Sequence, residues 1–131
     1  MEADVYLLPE LYLSGYAFSS NDEVREVALS PDNPYFDELK ALSAERGCAI
    51  CGGYAEAAGD EVFNSALVIG DGKLLANYRK THLFYREKEF FTPGDTGFIV
   101  VEYRGVQFGI MVCFDWIFPE SVRTLALAGA Q

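Results

Sequence analysis

Histidine is almost absent from this chain of 131 residues: there is one, His82. Cysteine is scarce as well, with three copies at positions 48, 51 and 113. A small, odd number offers no disulfide framework and fits a reducing compartment, so each is read as a thiol. A structural zinc wants four ligands, and Cys48 and Cys51 of "CAIC" have only Cys113 and His82 to complete a set, which argues against a metal site. Residues three apart on a strand also point to opposite faces, one thiol to each. Basic residues are few: ten Lys plus Arg against twenty Asp plus Glu give a net charge of −10. With no basic cluster to follow a phosphate backbone, nucleic acid is excluded as the expected partner. No apolar run approaches the roughly 18 residues that span a bilayer, and Met1 is followed at once by acidic residues rather than a signal peptide. The expectation is a soluble, cytoplasmic protein without a membrane partner. Glycines in "GDG" and "PGDTG" form no Walker or dinucleotide fingerprint and are read as turns.

Half of the residues are apolar and 15% are aromatic, enough for one globular domain with a real core. "DVYLLPE" is a short apolar run ended by Pro9, a buried strand from which Glu10 emerges into the loop "LYLSGYAFSSNDE". The stretch "PYFDELKALSAERG" places Phe36, Leu39, Leu42 and Ser43 at helical spacing, with Gly47 as the stop. Three strands follow in "CAICGGYAE", "VFNSALVIG" and "KLLANYRK", the last two joined at Asp71-Gly72, a strong hairpin signal. "THLFYREKEFFTPGDTG" has no clean period and is expected as a surface loop or short helix. "FIVVEYRGVQFGIMVC" reads as a second hairpin turning at Arg104-Gly105, its apolar run delivering Cys113 into an acidic, aromatic turn. "PESVRTLALAGA" opens a helix with Pro119 in its first turn and Glu120 near its positive end. The chain stops where a further strand is expected, which reads as a partial domain.

Three reactive side chains share one position in this pattern, immediately beyond an apolar strand: Glu10, Lys80 and Cys113. In α/β architectures, the residues after neighbouring strands converge on ligand sites. A carboxylate can take the thiol proton, the thiolate can attack an electrophilic carbon, and an ammonium can stabilise the oxyanion that forms. A Cys113–His82 dyad is the competing arrangement.

The segments "LLPELYLSGY", "YRKTHLF" and "GIMVCFDWIFPES" resemble the three signature segments of the nitrilase, or carbon-nitrogen hydrolase, superfamily, in the family's order and across essentially the whole chain. "HLFYREKEFFTPGD" is similar to its amidase and N-carbamoylase-like members. The resemblance implies an α/β fold, part of a four-layer α-β-β-α sandwich, with residues 1–131 lacking the first strand and helix and the C-terminal half of a full domain. It implies Glu10 as general base, Lys80 as stabiliser of the tetrahedral intermediate and Cys113 as the nucleophile that becomes a thioester. Glu87 matches a second glutamate, although Glu89 lies only two residues away. The backbone N–H of Phe114 would complete the oxyanion site with Lys80. No metal or organic cofactor is implied. The expected partner is a small carboxamide, N-carbamoyl compound or nitrile. A full-length protein would be a homodimer or higher homo-oligomer, with "PESVRTLALAGA" as an interface element. Tyr12, Tyr16, Phe18, Phe84, Tyr85 and Trp116 fall in loops near the site, as pocket walls or as packing aromatics. A non-catalytic domain that keeps the triad without the full pocket is the alternative from another class.

Overall fold

The computed structural model describes residues 3–131. A four-stranded mixed sheet in the order β1-β2-β3-β4 is its centre, built from β1 (Val5–Leu7), β2 (Ala49–Ala58), β3 (Glu61–Gly70) and β4 (Lys73–Arg79). β1 runs parallel to β2, and the other two pairings are antiparallel. The carboxyl ends of β1, β2 and β4 therefore share one edge with the start of β3. Asp71 and Gly72 both take positive φ, 46° and 81°, the conformation of a tight two-residue hairpin turn.

Alternation along the strands sends side chains to two different partners. On one face, Tyr54, Leu67 and Ile69 pack against Phe36 of α2 (Pro34–Arg46). Proline at the first turn and Gly47 at φ 57° bound this helix as its sequence predicts. Its apolar stripe is uneven: Phe36 and Ser43 are buried, but Leu42 is exposed. On the other face, Ala66, Val68 and Tyr78 pack against Val101, Ile110 and Val112. These come from the hairpin of β5 (Val100–Tyr103) and β6 (Val106–Gly109), a separate two-stranded sheet turning at Arg104-Gly105, and from the segment after it. The layers are thus helix, sheet and hairpin. Cys48 is buried just before β2 and Cys51 is half-buried within it, and no group of three or more potential metal ligands occurs among the described residues.

Four expectations need correction. The first strand is not buried: Val5 and Leu7 of β1 are exposed. The run that ends in Cys113 is not strand throughout: pairing stops at Gly109, and Cys113 opens a 3₁₀ turn (Cys113–Ile117) leading into α4 (Pro119–Leu127). The stretch 11–23, read as loop, runs into helix α1 (Asn21–Val27). Ser20 caps it by accepting from the Glu23 N–H, and the Glu23 carboxylate reaches back to Ser19, so the capping signal was present in "SSNDE". Finally, "THLFYREKEFF" does hold a short helix, α3 (Glu87–Phe90), but it is not simply superficial. Leu83 and Phe91 join a third apolar cluster with Leu11, Phe18 and Val24, and Glu87 is buried. No helix among the described residues is long and apolar enough to cross a membrane.

Candidate active site

Two glycines let the segments carrying Glu10 and Lys80 reach the shared sheet edge. A Cβ on Gly53 of β2 would stand 2.8 Å from Glu10 Cα and 2.8 Å from the Leu11 nitrogen, so only glycine admits this backbone contact. The contact is fastened from both sides, since the Gly53 N–H donates to the Pro9 carbonyl and the Tyr12 N–H donates to that of Gly53. A Cβ on Gly94 would meet the Arg79 carbonyl oxygen at 2.1 Å. Gly94 instead lies flat on the chain and donates its N–H to the Lys80 carbonyl at 2.9 Å, while the Lys80 N–H donates to the Asn64 carbonyl at 2.8 Å.

The Lys80 side chain is fully buried, a costly place for an ammonium unless it is paired and hydrogen-bonded. Its Nζ donates to Glu10 Oε1 at 2.7 Å and to Glu87 Oε1 at 2.8 Å. Burial works to lower the Lys80 pKa, but the two carboxylates overcome it and raise the value above the ordinary one. The ammonium has three donors, and these bonds use two. Glu87 and Glu89, two residues apart in sequence, take different roles: Glu87 faces Lys80, whereas Glu89 pairs with Arg86 on the surface.

The two carboxylates at Lys80 differ in what else they hold. Glu87 Oε1 also accepts from the Tyr16 hydroxyl, and Glu87 Oε2 accepts from the Phe84 N–H at 2.9 Å. Both of its oxygens are occupied, which suits a fixed charge better than a base. Glu10 Oε1 accepts from Lys80 and from Asn64 Nδ2 at 2.7 Å, and the charge of the same carboxylate acts on the Cys113 thiol. Cys113 is the exposed one of the three cysteines. Its pKa is raised, first by desolvation and then by the Glu10 charge, with Lys80 pulling the other way. At neutral pH it is a thiol beside a carboxylate able to receive its proton.

The turn carrying Cys113 is held by Asp115, which is completely buried. Asp115 Oδ2 accepts from the Val112 N–H at 3.0 Å and from the Tyr78 hydroxyl at 2.7 Å. Asp115 Oδ1 accepts from the His82 N–H at 2.9 Å and lies 2.9 Å from His82 Nδ1. One carboxylate thus ties the segment after Lys80 to the segment bearing the thiol. His82 is occupied here: its ring nitrogen meets a buried carboxylate rather than backbone, and its ring stacks on Phe118 at 4.0 Å. The charges acting on Cys113 are those of Glu10, Lys80 and Glu87, while His82 Nδ1 is engaged by Asp115. Phe114 follows Cys113 in the turn, its ring 5.0 Å from that of Phe84 and 5.4 Å from that of Phe118.

Asn64, Asp115 and the Tyr16–Glu87 bond lay outside the sequence reading. Asn64 sits inside an apolar strand, and a polar residue with no exposure on such a strand is the one signal that marks it.

Comparison with known proteins gives a consistent result. A family model described as carbon-nitrogen hydrolase matches residues 1–131. The chain is 47% identical over 130 residues to a nitrilase of Pyrococcus abyssi, covering 98% of this chain and 50% of that protein. It is 34% identical over 137 residues to an N-carbamoylputrescine amidase of Solanum lycopersicum, covering 98% and 45%. Among solved structures, a mutant of the amidase from Nesterenkonia sp. AN1, showing Michael addition of acrylamide at the active-site cysteine, superposes with a TM-score of 0.78 at 30% identity, over 98% of this chain and 51% of that one. The chain therefore spans about half the length of the relatives it matches, and its mixed sheet, with a helix on one face and a second sheet on the other, is consistent with the four-layer sandwich of the nitrilase type.

Proposed function

We propose, from the premise that the chain belongs to the carbon-nitrogen hydrolase family, that it cleaves the carbon–nitrogen bond of small carboxamides or N-carbamoyl compounds through a thioester on Cys113. The observation that carries this reading is the cluster in which the buried Lys80 ammonium bridges Glu10 and Glu87, with the charges of all three acting on the exposed Cys113 thiol. The substrate carbonyl oxygen lies against the third Lys80 N–H and the Phe114 backbone N–H, donors aimed where negative charge develops. Glu10 takes the thiol proton through its Oε2, which takes no part in the bonds from Lys80 and Asn64, as the sulfur attacks the carbonyl carbon. The carbon–nitrogen bond then breaks, Glu10 returns that proton to the departing nitrogen, and ammonia or an amine leaves. A water molecule gives a proton to Glu10 and its oxygen attacks the thioester. The carbon–sulfur bond breaks, the acid departs, and the proton on Glu10 restores the thiol. Each proton and electron pair has a side chain to serve it, so these steps call for no cofactor.

Glu87 acts as a fixed anion in this sequence. Held by Tyr16, Phe84 and Lys80, it keeps the ammonium charged and in place for the oxyanion. A nitrile would enter as a thioimidate on the same sulfur, a second reading supported by the 47% identity to the Pyrococcus nitrilase.

Intact mass spectrometry tests the proposal. The chain and a Cys113→Ala variant are incubated with small amides, N-carbamoyl amines and nitriles, and ammonia is followed in parallel. An acyl adduct on the parent and none on the variant is expected, with ammonia released only by the parent. Turnover that persists in Cys113→Ala would overturn the mechanism.

A further inference from the structure

Beside the catalytic cluster lies a cavity of about 210 Å³ whose wall is made largely of aromatic rings: Tyr16, Phe18, Phe84, Tyr85, Phe90 and Phe91. Phe18 and Phe91 form a buried floor and meet edge to face, 5.9 Å between centroids. Tyr16, Phe84 and Tyr85 remain exposed at the rim. Three large exposed rings on one small patch are unusual for a surface with no ligand to cover. The cavity neighbours the reacting groups through its own lining: Glu87 bonds Lys80 and Tyr16, and Phe84 packs on Phe114, the residue after Cys113.

The charged groups around this space are already paired. Both Glu87 oxygens accept hydrogen bonds from Lys80, Tyr16 and the Phe84 N–H. Arg86 pairs with Glu89 and lies over the Phe90 ring, 5.4 Å from its centroid. The lining thus holds one cation, Arg86, already paired with Glu89, and one carboxylate, Glu87, already paired with Lys80, so it presents no unpaired anion to hold a substrate ammonium. Its volume exceeds the roughly 150 Å³ of an apolar cavity that admits benzene.

We infer that this cavity receives the part of the substrate next to the scissile carbonyl, and that this part is an uncharged, ring-sized apolar group rather than an aminoalkyl chain. The inference rests on the proposed amide chemistry and narrows its substrate class to amides of arylalkyl or similarly bulky apolar acids. It separates this chain from a carbamoyl-diamine substrate such as the Solanum relative's name indicates.

Protection of Cys113 from iodoacetamide tests the cavity independently of turnover. The probes are acetamide, 3-phenylpropanamide and 6-aminohexanamide, with adduct at Cys113 read by mass spectrometry and ammonia release measured separately. The phenyl amide should protect at a concentration at least tenfold below either of the others, since even one well-buried methylene is worth about tenfold or more. Ala17 lines the same cavity on an exposed segment, and Ala17→Leu should reduce the ratio between phenyl amide and acetamide protection. Equal protection by all three, or stronger protection by the aminohexyl amide, overturns the inference, as would a ratio unmoved by Ala17→Leu. Absence of ammonia from every probe would count against the hydrolase reading alone, because protection reports binding without it.

Discussion

Replacing Glu10 by glutamine should drive two reactions of the same sulfur in opposite directions. The amide keeps an oxygen where Lys80 Nζ and Asn64 Nδ2 now donate at 2.7 Å, so the cluster can hold its shape while the charge is lost. Cys113 is raised above its ordinary pKa by desolvation first and by the Glu10 anion next. The parent thiol therefore stays protonated into the alkaline range, and its alkylation by iodoacetamide should rise only there. Without the anion, the thiol ionises at lower pH and more thiolate is present at pH 7. Nucleophilicity falls as basicity falls, with a Brønsted slope of about 0.4–0.5, so each tenfold gain in thiolate leaves about a threefold gain in rate. Amide hydrolysis should instead drop by roughly 10²–10⁴, the usual contribution of a positioned acid or base. The assay is a pair of pH–rate profiles, for iodoacetamide labelling at Cys113 and for ammonia release, on parent and variant. An alkylation midpoint that stays put or moves to higher pH, or two rates that fall together, would refute the assignment of Glu10 as both the base and a source of the thiol's raised pKa.

Two other substitutions probe the supports. His82→Ala leaves the Glu-Lys-Cys groups in place and removes only the ring at Asp115, so kcat/KM should fall by less than about tenfold. A loss as large as that of Cys113→Ala would restore the Cys-His dyad. Gly94→Ala forces a Cβ to 2.1 Å from the Arg79 carbonyl oxygen and should cost at least about 2 kcal/mol in urea unfolding, with reduced turnover as the Lys80 segment shifts. An unchanged urea midpoint would show that the segment has slack it does not display.

What was legible in the sequence was local. Asp71-Gly72 and Arg104-Gly105 fix their hairpins by turn chemistry, and Pro34 with Gly47 brackets α2, because each signal acts within a few residues. Glu10, Lys80 and Cys113 stood out as reactive residues just past apolar runs, a signal visible without knowing their neighbours, although only Lys80 directly follows a paired strand: β1 ends at Leu7 and β6 at Gly109. Asn64 was not, because its role depends on the register that sets the start of β3 beside the end of β4 and the turn after β1. Asp115 was hidden similarly: its four contacts come from Val112, Tyr78 and His82, and only the last two reveal that it joins distant segments. Gly53 and Gly94 read as ordinary glycines until the backbones opposite them are known. The strand that stops at Gly109 was overread because "IMV" continues the apolar run after pairing has ended, burying Ile110 and Val112 against the sheet rather than along it.

Cys113 occupies the left-handed region, with φ 43°. A residue with a Cβ gives up roughly 1–2 kcal/mol to stay there, and glycine gives up almost none. The position at the centre of the proposed chemistry is therefore one where the most comfortable residue is inert. Selection for thermostability alone would favour glycine at 113 over the thiol that the proposed chemistry needs, so a library screened only for folding would tend to discard that thiol.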